Sequence, residues 1–294
     1  MIVARSLADL RDVVTAWRHE GLSIAVVPTM GALHEGHLTL VKKARAKADR
    51  VITTIFVNPK QFAANEDLSR YPRDEDGDLA LLSGAGGHLV YLPDPDEIYP
   101  PGFVTTISLA GPAKAGLEDK FRPHFFDGVA TVVAKLFIHT AADCAFFGEK
   151  DYQQLLVVTQ MARDLDLGTE VVGVPTIRED DGLAKSSRNR YLSKHERHQA
   201  TSIIRALEQA AEKIRGGGDP QAATKAAARS LTTLGFEVDY VTARNAETLG
   251  VPASNGEPLR LLAAARLGKT RRNPGSASPG WRAWAWASPA GCAA

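Results

Sequence analysis

Two histidines three residues apart, His34 and His37, lie in the stretch PTMGALHEGH. A strand-like run, SIAVVP (Ser23–Pro28), precedes it and a helix-like run, LTLVKKARAKADR, follows. Imidazoles change charge close to neutral pH and donate hydrogen bonds in either state. A helix starting near Gly36 offers unpaired N–H groups and the positive end of its dipole, a ready site for an anion. Gly31 and Gly36 let the backbone approach a ligand closely. Residues three apart on a helix face the same way, so the two rings can act together. Two imidazoles on a helix N-terminus suit a polyphosphate. The zinc-protease pattern needs histidines four apart and a third ligand, and neither is evident, which argues against zinc.

Three more polar stretches carry chemistry. In FFGEKDYQQ (Phe146–Gln154), Lys150 follows a strand and a glycine, where its ammonium can reach a phosphate as a point charge. Asp151 can accept from ribose hydroxyls or cap the next helix. Gln153 and Gln154 fall in that helix's first turn, so at least one points to the same rim. In NPKQF, Asn58 and Gln61 are neutral donors for a carboxylate or hydroxyl, or else parts of a simple turn. In DGLAKSSRNRYLS (Asp181–Ser193), Lys185, Ser186, Ser187, Arg188 and Arg190 gather cations and hydroxyls. That run is either a solvated charged loop or, at a domain junction, part of a site.

The elements that position these loops follow from periodicity. The runs at 23–28, 51–57, 88–93, 143–148 and 170–175 read as strands, with helical spacing between them, and the N-terminus reads as a strand then a helix. Alternation of this kind predicts an α/β fold, a Rossmann-like parallel sheet covered on both faces. Ligands then bind beyond the C-terminal strand ends, where PTMGALHEGH, NPKQF and GEKDYQQ all begin. After about Ser187 two helices flank GGGDP and two strand-like runs follow, which predicts a smaller α+β C-terminal domain. The expected domains are 1–184, 185–268 and an atypical stretch at 269–294 rich in Ala, Gly, Pro, Ser and Trp. That stretch reads as a disordered tail or as the product of a reading-frame slip.

Composition narrows the partners. The 294 residues carry a net charge of +1, which gives no reason to expect nucleic acid or a membrane surface. No run reaches the apolar length of a membrane span, and two cysteines, Cys144 and Cys292, make no disulfide framework. A cytoplasmic protein is the expectation.

Six motifs in order, PTMGALHEGH, IFVNPKQF, YPR, FFGEKDYQQ, VPTIRE and DGLAKSSRNRYLS, resemble the pantothenate synthetases, the ATP-dependent pantoate–β-alanine ligases. The likeness runs from about Val26 to Gly268, and HEGH resembles the HIGH-type signature of the wider nucleotidyltransferases. The resemblance implies that the pantoate carboxylate attacks the α-phosphate of ATP, releasing pyrophosphate. The β-alanine amine then attacks the pantoyl adenylate and displaces AMP. It further implies magnesium with the ATP, a homodimer, and a place in coenzyme A biosynthesis.

Carried onto this chain, the resemblance implies ATP contacts from Met30, Gly31, Ala32, Leu33, His34, Glu35, Gly36 and His37, from Gly148, Glu149, Lys150, Asp151 and Ile177, and from Lys185, Ser186, Ser187 and Arg188. Among the catalytic candidates, His37 matches the family's proton donor, with electrostatic support of the departing pyrophosphate equally open to it; His34 would assist, Lys150 would sit on the phosphates, and Arg188 would close over the triphosphate. Gln61 would bind pantoate and later β-alanine, Gln154 would bind pantoate, and Asn58 would join them. Among Asp74, Glu75, Asp76 and Asp78, Asp78 is the candidate for magnesium, with a helix start as the simpler account. The chemistry suits these groups. A carboxylate is already ionised at neutral pH, so the difficulty is bringing an anion to a polyanion. One unit-charge repulsion at 4 Å costs about 4 kcal/mol at an effective dielectric near 20, which donors and cations must offset. Three departures stand out: Lys185 where the family usually has Met, Phe125 where it usually has His (His124 being adjacent), and the stretch after Gly268. They keep two alternatives open: a nucleotide-binding member with weak or lost catalysis, and an adenylyltransferase for a related acid.

Overall fold

The structure is a computed structural model describing residues 1–62, 68–253 and 256–267 and the backbone of Trp281–Ala287. The chain divides into two units, Met1–Lys114 with Glu118–Ile177, and Ala115–Leu117 with Arg178–Ala294.

The first unit runs β1 (Ile2–Ala4), α1 (Leu7–His19), β2 (Ile24–Thr29), α2 (Glu35–Lys47), β3 (Arg50–Ile55), α3 (Glu75–Gly84), β4 (Leu89–Tyr91), α4 (Pro95–Ile98), α5 (Glu118–Phe121), α6 (Phe125–Thr140), β5 (Cys144–Gly148), α7 (Tyr152–Asp164) and β6 (Glu170–Val174). Its six strands form one parallel sheet in the order β1-β4-β3-β2-β5-β6. Successive residues of β2 enter opposite cores, as a pleated strand requires. Ile24 and Val26 pack with Leu10 and Val14 of α1, Val133 and Phe137 of α6 and Met161 of α7. Ala25 and Val27 pack with Val41 and Ala44 of α2 and Leu82 of α3. Covering both faces explains why these strands are continuous apolar runs rather than alternating ones. From β2 the chain steps to β3 on one side, and β5 returns on the other. The C-terminal ends of β2, β3 and β5 therefore flank a topological switch point, where such sheets bind ligands.

The second unit holds α8 (Lys194–Ala200), α9 (Ser202–Arg215), α10 (Pro220–Thr233), β7 (Glu237–Asn245), β8 (Leu259–Leu267) and β9 (Trp281–Ala287). Ile203, Leu207 and Ala210 of α9 pack with Ala223, Ala227 and Leu231 of α10 and with Leu261, Ala263 and Ala265 of β8. Ser193 and Glu196 cap α8 reciprocally, and Asp219 caps α10 just before Pro220. The first of the two helices expected around GGGDP is itself two, α8 and α9, which meet at Thr201, whose hydroxyl donates to the His198 carbonyl.

Two expectations differ from what is observed. The division falls after Ile177 rather than after 184, because Arg178 bridges to Ala184 and Leu183 packs into the second core. Within the stretch read as a disordered tail, Trp281–Ala287 pairs antiparallel with β8 and completes a three-stranded sheet, β7-β8-β9. The rest of 269–294 lies outside the described residues. No helix among the described residues is long and apolar enough to cross a membrane.

Candidate functional site

The loop leaving β2 turns sharply. Gly31 and Ala32 both adopt positive φ, 78° and 51°. A Cβ at Gly31 would lie 2.9 Å from Asp78 Oδ2, so the position needs glycine on two counts. Asp78, in the first turn of α3 and 3% exposed, holds the strained loop. Its Oδ2 accepts from the Ala32 N–H at 2.8 Å and its Oδ1 from the Leu33 N–H at 2.7 Å. The carboxylate expected at a helix start or at magnesium thus has a bracing role that the sequence did not suggest: each of its oxygens accepts from a backbone donor of the loop.

His34 caps α2. Its Nδ1 accepts from the Gly36 N–H at 3.1 Å, and His37 Nδ1 accepts from the His34 N–H at 3.3 Å. A backbone N–H can only donate, so the ring nitrogen that it meets must be unprotonated. Both imidazoles are thereby set as Nε2–H tautomers. The rings lie 4.1 Å apart, centroid to centroid. Removal from water, with help from the Lys150 ammonium, pushes His37 down to about 4, so it is neutral at physiological pH. The pair thus presents neutral N–H donors at the helix N-terminus.

After β3, Asn58 caps the 3-10 turn Pro59–Gln61. It is 1% exposed. Its Oδ1 accepts from the Lys60 N–H and from the Tyr99 hydroxyl, and its Nδ2 donates to the Gly128 carbonyl and to Gln61 Oε1. All four bonds of the amide are internal, so the substrate contact expected of Asn58 becomes a structural one. Gln61 Nε2 meets the Met30 thioether at 2.9 Å, which places its amide against the β2–α2 loop. Arg122 donates to the Gln61 carbonyl and stacks 3.7 Å over the Phe125 ring. Phe125 therefore supports an arginine where the family usually has a histidine, while His124 is exposed.

After β5, the 3-10 turn Glu149–Asp151 leads into α7. Lys150 is mostly buried and pairs with Asp151 at 3.3 Å. Gln153 turns inward, binding the Glu118 N–H, the Pro112 carbonyl and Asp119. Half-buried Gln154 is left as the glutamine able to meet a substrate. Ile177 is half-buried three residues beyond β6. The first unit thus brings Met30–His37, Gln61, Gly148–Asp151 and Gln154 to the carboxyl ends of adjacent parallel strands.

The remaining expected residues belong to the second unit. Lys185 pairs with Glu179 at 3.5 Å, and Ser186 caps the 3-10 turn Ser187–Tyr191 by accepting from the Arg188 N–H. Asn189 ties that turn to the Ala184 carbonyl. Sequence reasoning missed Tyr99, Arg122 and the bracing role of Asp78. Their partners lie tens of residues away, so no local spacing marks them. Among the described residues there is no cluster of three or more His, Cys, Asp or Glu able to hold a metal ion by itself.

Residues 2–272 match the family profile described as Pantoate-beta-alanine ligase. Similar relatives include a pantothenate synthetase of Bradyrhizobium sp. (strain BTAi1), 54% identical over 92% of this chain and 95% of that one. Another, from Paramagnetospirillum magneticum, is 53% identical over 92% and 95%. Among solved structures, a pantothenate synthetase from Thermus thermophilus is 42% identical, with a TM-score of 0.89 over 98% of this chain and 99% of that one. A pantoate–β-alanine ligase from Francisella tularensis, complexed with beta-gamma ATP and β-alanine, is 30% identical, with a TM-score of 0.80 over 98% of each chain.

Proposed function

We infer the chemistry from one premise: this chain belongs to the pantoate–β-alanine ligase family. It is an ATP-dependent ligase that condenses pantoate with β-alanine to pantothenate through a pantoyl adenylate, releasing AMP and pyrophosphate. The observation that carries the assignment of roles is the fixed tautomer of His34 and His37 at the N-terminus of α2. Neutral Nε2–H donors at the positive end of a helix, with the Lys150 ammonium nearby, supply what a departing pyrophosphate needs.

In the first step the pantoate carboxylate attacks the α-phosphorus while charge builds on the pyrophosphate. His37 Nε2–H donates a hydrogen bond to that leaving group, assisted by His34, and Lys150 neutralises it. Met30–His37, Gly148–Asp151 and Ile177 hold the nucleotide, and the family resemblance gives Lys185, Ser186, Ser187 and Arg188 a phosphate-binding role as well. Gln61 and Gln154 hold pantoate, and Gln61 later holds β-alanine. Magnesium accompanies the ATP phosphates rather than a protein cage, in keeping with that ion's habit of retaining water and binding mainly through phosphates. The protein works in the cytoplasm as a homodimer.

The test is pantoate-dependent pyrophosphate release. Wild-type protein releases pyrophosphate and AMP only when pantoate is present. His37→Ala should lose about 100- to 1,000-fold in turnover, the usual cost of one transition-state donor, while melting close to wild type. Because His37 titrates near 4 rather than 6.5, it contributes no acid limb to turnover above about pH 5. Near-wild-type turnover of the variant would overturn its assigned role.

A further inference from the structure

We propose that Asn58 and Tyr99 are positioning residues that lock the Gln61 carboxamide with its NH2 toward the substrate, so that Gln61 recognises acid oxygens only as a donor. The inference deepens the proposed role of Gln61 in holding pantoate and rests on it.

The orientation follows from groups whose roles are not interchangeable. The Lys60 backbone N–H can only donate, so the Asn58 atom 3.2 Å from it is the oxygen. The Gly128 carbonyl can only accept, so the Asn58 atom 3.1 Å from it is the nitrogen. These two backbone groups fix the side chain of Asn58 unambiguously. Its second amide hydrogen points at Gln61 across 3.1 Å, and the Gln61 atom there must be Oε1. The Gln61 nitrogen is then forced to the other side, where it meets Met30 Sδ, a weak acceptor. A substrate carboxylate or hydroxyl oxygen is a far better partner.

Tyr99 completes the lock. Its hydroxyl donates to Asn58 Oδ1 at 2.8 Å, and burial raises its pKa, so the phenol stays protonated. Its ring is held from outside by the Lys60 ammonium at 4.7 Å. Tyr99 lies 41 residues from Asn58 in sequence and reaches Gln61 through it. One chemical consequence concerns the second step. A Gln61 fixed as donor cannot accept a proton or a hydrogen bond from the β-alanine amine at that nitrogen, so it orients β-alanine through the carboxylate.

The experiment measures KM for pantoate and for ATP in Tyr99→Phe, Asn58→Asp, Gln61→Ala and the Tyr99→Phe/Gln61→Ala double variant. Asn58→Asp keeps both acceptor bonds but turns an oxygen toward Gln61. The carboxamide then flips and faces the substrate with its own oxygen. KM for pantoate should rise at least about ten-fold with KM for ATP within about two-fold, as expected for replacing a charge-assisted bond by a repulsion. Tyr99→Phe, which keeps the ring, should raise KM for pantoate about five-fold, the cost of one ordinary hydrogen bond. It should have no further effect in the Gln61→Ala background, a coupling that loose packing would not produce. If Asn58→Asp fails to fold, the Tyr99→Phe cycle decides alone. If Gln61→Ala raises KM for pantoate but Tyr99→Phe does not, or if the two effects simply add, the lock is overturned while the role of Gln61 stands. If Gln61→Ala leaves KM for pantoate unchanged, the role of Gln61 falls and the lock with it.

Discussion

At the scale of single residues, what could be read early depended on chemistry carried by type and local spacing. His34, His37 and Lys150 stand out as candidates because two imidazoles and an ammonium follow strand ends beside glycines. Asp78 does not. Its place in an acidic helix start suggested a capping or metal role, whereas its partners, the Ala32 and Leu33 N–H groups, lie 46 and 45 residues away. Nothing in a local window distinguishes a carboxylate that faces solvent from one that braces a distant loop. The brace has a testable cost. Asp78→Ala removes the carboxylate that accepts from two buried N–H groups, each bond worth about 1–3 kcal/mol, so chemical denaturation should show a loss on the order of 2–4 kcal/mol. Because the proposed nucleotide contacts lie on the loop they anchor, KM for ATP should rise more than KM for pantoate. Asp78→Asn should rescue little, since its NH2 would oppose one of the N–H donors. Unchanged stability together with an unchanged KM for ATP would show that the loop holds its shape without the carboxylate.

At the scale of elements, periodicity carried most of the fold. The apolar runs at 51–57, 143–148 and 170–175 became β3, β5 and β6 within a residue or two, because each is an apolar run bounded by polar or glycine-rich turns. The join at Thr201 was not legible, because apolar spacing continues across it. Nor was the close approach of α6 to the turn after β3. That approach depends on Gly128, where a Cβ would stand 2.3 Å from the Lys60 carbonyl oxygen. In an ordinary helix interior, replacing glycine by alanine helps by about 0.5–1 kcal/mol. Here the clash with backbone outweighs that gain. Gly128→Ala should destabilise by about 1–3 kcal/mol, as overpacking does, and should raise KM for pantoate by moving Asn58 and Gln61. Gly84→Ala, at the last position of α3 with nothing near its Cβ site, is the control and should be neutral or mildly stabilising. Equal behaviour of the two variants in urea melts would mean that α6 does not set the position of the turn.

At the scale of the molecule, the main divergence between sequence and structure lies at the C-terminal end. The change in composition after Gly268 read as a tail with no role in the fold, since Pro, Gly and Ser obscure any period. Backbone pairing is less demanding than side-chain pattern, and Trp281–Ala287 supplies a strand that gives β8 a partner on each side. The consequence is unequal for the two units. Each has its own apolar core, and only that of the second includes β8, through Leu261, Ala263, Ala265 and Leu267. Ending the chain after Gly268 would remove the seven-residue β9 and turn β8 into an open edge. The lost ladder bonds, at about 0.5–1.5 kcal/mol each, are partly offset by the freed chain entropy, which leaves a net loss of about 2 kcal/mol in the second unit. At roughly 4–8 °C per kcal/mol for a unit of this size, its melting midpoint should fall by about 10 °C, and amide hydrogens along β8 should exchange faster. The parallel sheet of the first unit should keep its exchange protection. If the shortened chain melts like the full one with β8 equally protected, then β9 contributes nothing and the sequence-level reading of 269–294 as a passive tail is right.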